Sequence, residues 1–340
     1  MGKRMVNAAI VGLGWWGQVL VNSVQDKSDV IKFTHGVTRT KSKAQEFADG
    51  KGITLVDNYD DLLRDDSIDA VVLATPHSAH LGQIQAAAAA GKHVFCEKPI
   101  TLTTADAEAA IAACKDAGVV CAVGFNRRFH PSIAEAKKLV DDGTMGTLMH
   151  VEGTMCAPNG MFLAKDAWRA DKNETPAGGL TPMGVHVIDV YINLFGEIDE
   201  VYCQSFRRAV PNDTDDTTSI LFRMKNGMSG YLANMLATAP SFRVQGYGLG
   251  GSFEIRKPDL SSFEFVPNGD GPITGATGKI EAQSKDFSGF DMVNAELEAF
   301  AQACTGGAVY PVPDADVIHG IAVMEAIIKS AETGQPEKVG

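Results

Sequence analysis

Apolar residues follow two rhythms along this chain. Up to about Phe125, short continuous apolar runs alternate with helical patterns. Val6 to Val11 reads as a buried parallel strand, and Ile31 to Val37, Ala70 to Ala74, His93 to Cys96 and Val119 to Val123 read as further ones. Helical stretches separate them: Trp16 to Val24, a pattern through Phe47, the alanine-rich His80 to Ala90 ended by Gly91, and about Thr103 to Ala117 closed by Gly118. This alternation predicts an α/β fold, a doubly wound parallel sheet with helices on both faces. After Phe125 strand-like runs follow one another at Leu148 to Met155, Glu200 to Arg207, Thr217 to Met224, Met228 to Asn234 and Phe242 to Tyr247. Turn signals such as Lys225-Asn226-Gly227 part them, which predicts an antiparallel sheet with inserted helices. Helical stretches at Met292 to Cys304 and Ala315 to Ala331 close the chain. The change of rhythm divides the sequence into residues 1–125 and 126–340.

Composition narrows the class. A chain of 340 residues is long for one core and fits two domains. With 45% hydrophobic and 21% charged residues it reads as soluble and globular. The net charge is -12, and no run of clustered cations exists to neutralise phosphates, so a nucleic-acid partner is not expected. Acid clusters at Asp60-Asp61, Asp65-Asp66 and Asp213 to Asp216 read as solvated turns and helix starts. The 6 cysteines form no C-x-x-C pair, which argues against a zinc site, and they read as buried thiols in a reducing compartment. No metal site is expected. The opening Met1 to Gly14 stretch lacks the pattern of a signal peptide, and no stretch has the length of a membrane span. A cytoplasmic protein with no membrane partner is the expectation.

Gly12-Leu13-Gly14-Trp15-Trp16-Gly17 fits G-x-G-x-x-G. The motif is weak alone, but here it follows a buried strand and opens a helix, the context of a dinucleotide site. Gly12 allows a tight turn, Gly14 lets the backbone approach a pyrophosphate at the helix N-terminus, and Gly17 lets helix and strand pack closely. One of Trp15 and Trp16 is expected to pack on the cofactor or the second domain. An NAD site usually ends its second strand with a carboxylate on the ribose 2'-hydroxyl. Asp29 precedes that strand, and its far end reads Val37-Thr38-Arg39-Thr40-Lys41-Ser42-Lys43. Thr38 and Arg39 suit a 2'-phosphate, so NADP is preferred, with NAD as the alternative.

The stretch Ala74 to Ile100 contains Thr75-Pro76 with His80, then Gly91-Lys92-His93-Val94, then Glu97-Lys98-Pro99. Together with Gly124 to Pro131 (GFNRRFHP) it closely resembles the Gfo/Idh/MocA oxidoreductases, relatives of glucose-fructose oxidoreductase and inositol dehydrogenase. The likeness extends over nearly the whole chain. It implies an N-terminal NAD(P)-binding Rossmann domain and a C-terminal α/β domain with a large open, mostly antiparallel sheet. Substrate would lie between them, and the sheet would form a homodimer or homotetramer interface. Thr75, Pro76, His77, His80, Glu97, Lys98 and Asn126 would line the cofactor site, His77 near the nicotinamide ribose.

The resemblance places Lys98 at the reacting hydroxyl. Pro99 restricts Lys98 to an extended backbone, and burial beside a positive nicotinamide would favour its neutral amine. Such an amine can take the hydroxyl proton as hydride leaves the carbon, and its ammonium can return it. The family pattern D-x-G-x-H-x-x-D matches here as Pro182-x-Gly184-x-His186-x-x-Asp189, with proline in place of the first aspartate. Thr181 is expected to cap the helix and Pro182 to take its first position, which puts His186 near the positive dipole end as a neutral imidazole. His186 would exchange a hydrogen bond with a substrate hydroxyl, and Asp189 would be structural. Asn126 and Arg169 are further substrate candidates. Pro182 leaves three readings open: Lys98 as sole acid/base, a different substrate class, or loss of the usual reaction.

The sequence therefore predicts an NADP-preferring oxidoreductase acting on a secondary alcohol or ketone of a sugar, cyclitol or related polyol. The loop from Cys156 to Thr175 would set its choice. Its rivals are a nicotinamide-dependent glycosidase with transient oxidation and a non-catalytic NADP(H)-binding regulator.

Overall fold

The computed structural model describes residues 4–269 and 281–340. Met1 to Lys3, where the stretch read for a targeting signal begins, lie outside the described residues. The chain opens with β1 (Val6–Val11), α1 (Trp15–Val24), β2 (Ile31–Val37), α2 (Lys41–Gly50), β3 (Thr54–Leu55) and α3 (Tyr59–Arg64). It continues through β4 (Ala70–Leu73), α4 (His80–Ala89), β5 (His93–Cys96), α5 (Thr104–Asp116) and β6 (Cys121–Val123). These strands pair in the order β3-β2-β1-β4-β5-β6, all parallel. The continuous apolar runs are explained by burial on both faces: every residue of β4 is buried. The order reverses between β1 and β4, and an open α/β sheet binds its ligand outside the carboxyl ends at that point.

Next come α6 (Pro131–Asp141), β7 (Leu148–Cys156), α7 (Gly184–Phe195), β8 (Ile198–Phe206), β9 (Thr217–Met224), β10 (Ser229–Met235) and β11 (Ser241–Gly248). β12 (Gly251–Arg256), β13 (Ser262–Pro267) and β14 (Gln283–Asp286) extend the same sheet. The chain ends with α8 (Met292–Cys304), α9 (Asp314–Thr333) and β15 (Glu337–Lys338). The strand order in this sheet is β14-β13-β12-β11-β7-β10-β9-β8-β15. Every pairing is antiparallel except β7 with β10. Burial alternates along β9 and β11, so one face is covered and the other is open. Tyr191 of α7 lies over the covered face, its hydroxyl donating to Tyr231 O at 2.8 Å. A Cβ on Gly153 would meet that hydroxyl at 2.3 Å, so the glycine admits the ring. Phe195 stacks on Phe253, and Tyr191 meets Phe222 edge-on, which fills the space between helix and sheet.

Two compact units result. One runs to Asn126 and takes in Asp291–Ile321; the other comprises Arg127–Phe290 and Ala322–Gly340. The sequence division treated 126–340 as continuous, whereas the late stretch returns to the first unit through specific contacts. Phe300 packs edge-on against Phe95, Asn294 Nδ2 donates to Ser23 O at 2.9 Å, and the Tyr310 hydroxyl donates to Val123 O at 2.9 Å. Among the described residues, no helix is long and apolar enough to cross a membrane.

Candidate functional site

The glycine loop of the first unit shows which glycines serve the chain and which serve something else. Gly12 has φ +100°, and a Cβ there would lie 2.5 Å from Ala74 O, where the ends of β1 and β4 meet. A Cβ on Gly17 would lie 2.0 Å from Gly12 O, so this glycine lets α1 close on β1. Gly14 is different: its φ is -74°, and among the described residues nothing lies within 4 Å of where a Cβ would stand, so no contact among them requires glycine there. The open space suits a ligand that touches the backbone. No side chain caps the start of α1, and its first turn holds no carboxylate, which leaves the helix end suited to an anion. These residues fit the diphosphate of a nicotinamide nucleotide.

Trp15 is 72% exposed, while Trp16 is half-buried. The Trp16 indole N–H is buried and makes no hydrogen bond among the described residues. At the end of β2, Thr38 is half-buried and Arg39 exposed, with no carboxylate between Val37 and Lys43. Lys41 pairs with Asp57 and donates to Leu55 O at 3.3 Å, so its charge is engaged within the chain.

The motif between β4 and β6 separates into struts and reachable groups. Lys92 is buried, and its ammonium donates to Asp65 O at 2.8 Å and Ile68 O at 2.9 Å. His93 Nδ1 accepts from Val120 N at 3.0 Å. The Gly-Lys-His-Val element is thus scaffold. Thr75 donates to Gln83 Oε1 at 2.6 Å, Pro76 is half-buried, and His77 is buried in the short turn that leads into α4. His80, read from sequence as lining the cofactor site, has no exposed surface, and both its ring nitrogens meet backbone carbonyls. Its place is inside the wall. Glu97 is also buried: a Cβ on Gly124 would stand 3.0 Å from its carboxylate, and its Oε2 accepts from Lys98 N at 3.3 Å. Lys98 is half-buried just after the carboxyl end of β5, on the ligand-binding edge of the sheet. Asn126 is buried after β6.

In the second unit the start of α7 departs from expectation. Thr181 does not cap the helix; its hydroxyl donates to Pro176 O at 2.9 Å. Pro182 precedes the helix, which begins at Gly184 with Met183 at the N-cap and no side-chain cap. The reason is packing: a Cβ on Gly184 would meet Asn234 Oδ1 at 2.3 Å, so the first turn is pressed onto β10. His186 is the third helical residue, buried, within the first turn. Asp189 is buried and paired with Arg128, which fits the structural role read for it. Arg169 is exposed and stacks over Trp168 at 4.1 Å.

Asp216 overturns its reading as part of a solvated cluster. Its Oδ2 accepts from the backbone N–H groups of Arg208, Ala209 and Val210 at 2.9, 2.6 and 2.9 Å. Burial alone would raise its carboxyl, but these N–H groups and the Thr217 hydroxyl hold it below the ordinary carboxylate value. Asp215 next to it packs against Gly178, where a Cβ would lie 2.0 Å from Asp215 O, so this pair shapes the turn before α7. Asn234, fully buried, also escaped sequence reasoning. Its one signal was a polar residue in an otherwise apolar strand run.

A parallel sheet ordered 3-2-1-4-5-6, with an open glycine turn at its reversal point, defines a dinucleotide-binding unit. Residues 6–125 match the oxidoreductase family described as having an NAD-binding Rossmann fold, and residues 133–254 match the GFO/IDH/MocA C-terminal domain. The chain belongs to the GFO/IDH/MocA family and is an NAD(P)-dependent oxidoreductase acting on CH–OH groups. It is 30% identical to D-xylose 1-dehydrogenase (NADP(+)) 2 of Haloferax volcanii, over 87% of this chain and 89% of that protein. It is 26% identical to the scyllo-inositol 2-dehydrogenase (NADP(+)) IolW of Bacillus subtilis, over 97% of this chain and 96% of that one. The fold matches aldose-aldose oxidoreductase from Caulobacter crescentus, crystallised with glycerol, at TM-score 0.85 and 24% identity, covering 98% of this chain and 100% of that one.

Proposed function

We propose that this protein is an NADP-preferring dehydrogenase or reductase acting on a secondary alcohol or ketone of a sugar, cyclitol or related polyol. The observation that carries the reading is Lys98, half-buried on the carboxyl edge of the sheet that also bears the open glycine turn. A bound nicotinamide supplies the hydride acceptor or donor. The Lys98 amine takes the substrate hydroxyl proton in oxidation, and its ammonium gives it back in reduction. The buried first-turn His186 hydrogen-bonds a substrate hydroxyl. Gly12, Gly14 and Gly17 hold the diphosphate, with Trp15, Trp16, Thr75, Pro76, His77 and Asn126 around the nucleotide. Arg169 meets a substrate hydroxyl or carboxylate.

Thr38 and Arg39 at the end of β2, with no carboxylate beside them, support NADP. The named xylose and scyllo-inositol relatives also carry NADP in their names. The substrate class rests on the same relatives. We further assign the open face of the large sheet to a homodimer or homotetramer contact. It presents the exposed Met149, Phe206 and Leu221 beside the Glu152–Arg243–Glu254 ion network.

The test is absorbance of reduced nicotinamide, with NADP+ and NAD+ in parallel, over pooled polyols, sugars and hydroxy acids. A signal with a polyol or sugar pool, faster with NADP+, is expected. Silence in every pool with nucleotide still bound would overturn the reading and favour a regulator, for which the proline at position 182 is the motivating observation. Sugar release without net cofactor change would instead identify a glycosidase.

A further inference from the structure

His80 opens α4 with no exposed surface. Its Nδ1 lies 3.1 Å from both Pro99 O and Ile100 O, and its Nε2 lies 3.1 Å from Thr75 O. All three are carbonyl oxygens, which only accept. A neutral imidazole has one N–H and one lone pair, so one nitrogen would aim its lone pair at a carbonyl oxygen in a dry site. Two N–H groups satisfy both sides.

The segments that the ring joins are those that matter for the reaction. Pro99 and Ile100 directly follow Lys98. Thr75 follows β4, and its Cγ2 stands 3.4 Å from where a Cβ on Gly12 would lie, beside the glycine turn. We propose that His80 is held as an imidazolium whose two N–H groups lock the Lys98 segment to the loop beside the glycine turn, making it the positioning residue for the reacting lysine. This rests on the acid/base reading of Lys98.

The elements packed on α4 carry the titratable groups His77, His93, Cys96, Glu97, Lys98, Asp106, Glu108, Cys114, Lys115 and Asp116, and Tyr59 reaches the helix from α3. The His77 ring meets His80 edge-on at 5.8 Å, and the Tyr59 hydroxyl donates to Gln83 O at 2.9 Å. Burial pushes the Tyr59 phenol and the Cys96 thiol up, which keeps both neutral. Glu97, buried, and Lys98, half-buried, follow β5 and directly precede the Pro99 and Ile100 carbonyls that the ring meets.

Two measurements test the proposal. In protein labelled with 15N in its histidine rings, without nucleotide and at neutral pH, both His80 ring nitrogens should carry directly bonded protons. Assignment comes from the His80→Gln spectrum, or from ring-proton contacts to Thr75 and Ile100 if that variant does not fold. One protonated nitrogen overturns the proposal. Folded His80→Gln, which can donate on one side only, should keep its nucleotide Kd within about threefold while kcat falls about 100-fold, the cost of a lysine displaced by an ångström. An unchanged kcat overturns it, as does an equal loss in both parameters. Full turnover by Lys98→Ala would sink the acid/base reading instead and leave the ring-nitrogen result standing.

Discussion

Arg128 and Asp189 form a buried ion pair, 2.8 Å from Nη2 to Oδ1, with each side chain 4% exposed. The Arg128 Nε also donates to Oδ1 and Oδ2 at 2.9 and 3.0 Å. The pair fastens the second turn of α7, one turn beyond His186, to the short turn that precedes α6. Removing one partner leaves a charge buried without its counterion. Asp189→Asn and Arg128→Met should each lose about 3–5 kcal/mol of stability in urea unfolding. Asp189→Leu combined with Arg128→Met should recover part of that. A single substitution without effect would show that the pair does not hold the helix.

The glycine loop predicts a split between stability and binding. Gly17→Ala forces a Cβ onto the Gly12 carbonyl, and Gly12→Ala adds an unfavourable φ to a backbone clash. Each should cost more than about 2 kcal/mol. Gly14→Ala meets open space and should unfold within about 1 kcal/mol of wild type, yet bind nucleotide at least about tenfold more weakly. Thermal melts and nucleotide titration separate the two effects. Unchanged binding in Gly14→Ala would mean that the diphosphate does not approach this backbone.

Arg39 carries the NADP assignment. Arg39→Ala should weaken NADP+ binding by about 10- to 100-fold, the worth of a charge-assisted hydrogen bond, and leave NAD+ binding unchanged. Parallel titrations check it. Equal effects on both nucleotides would remove Arg39 from the 2'-phosphate.

Two histidines, His130 buried and His93 half-buried, give stability a pH dependence. Burial pulls His93 and His130 below their ordinary pKa of 6.5. His93 Nδ1 accepts from Val120 N and His130 Nδ1 from Ser132 N at 3.3 Å, bonds that need the neutral ring. The unfolded chain takes up these protons first as the pH drops. The stabilisation is therefore complete above about pH 6.5 and is lost as the pH falls through the lower folded values. Urea midpoints should decline over that range, and His93→Gln should flatten part of the decline. A midpoint constant down to the carboxylate range would contradict this.

These sites show what the sequence could and could not carry. β2, β5, β9 and α8 lie where the apolar pattern put them, because burial on one or both faces writes a period into the chain. The glycine turn was legible because backbone clashes demand glycine at Gly12 and Gly17. α6 was missed although Pro131 at its first position and the buried Ile133 and Ala136 announce it. β12 and β13 were missed although buried Phe253, Ile255, Phe263 and Phe265 alternate with Glu254 and Glu264, and β14 because Gln283–Asp286, an edge strand, holds no apolar residue. Roles set by long-range partners were not legible. Thr181 looked like a cap until Pro176 O claimed its hydroxyl, and Asp216 looked solvated until three backbone N–H groups surrounded it. His80 appeared in a binding motif, and only the carbonyls of Thr75, Pro99 and Ile100 reveal it as a strut.

In the proposed reaction Lys98 exchanges the proton of the reacting hydroxyl. The most direct test is single-turnover reduction of NADP+ by wild type and Lys98→Met with the polyol or sugar that gives a signal, alongside nucleotide titration. Lys98→Met should fold, keep its nucleotide affinity within about threefold of wild type and react at least about 100-fold more slowly, the scale of general acid–base catalysis. Full-rate turnover by folded Lys98→Met would contradict this role.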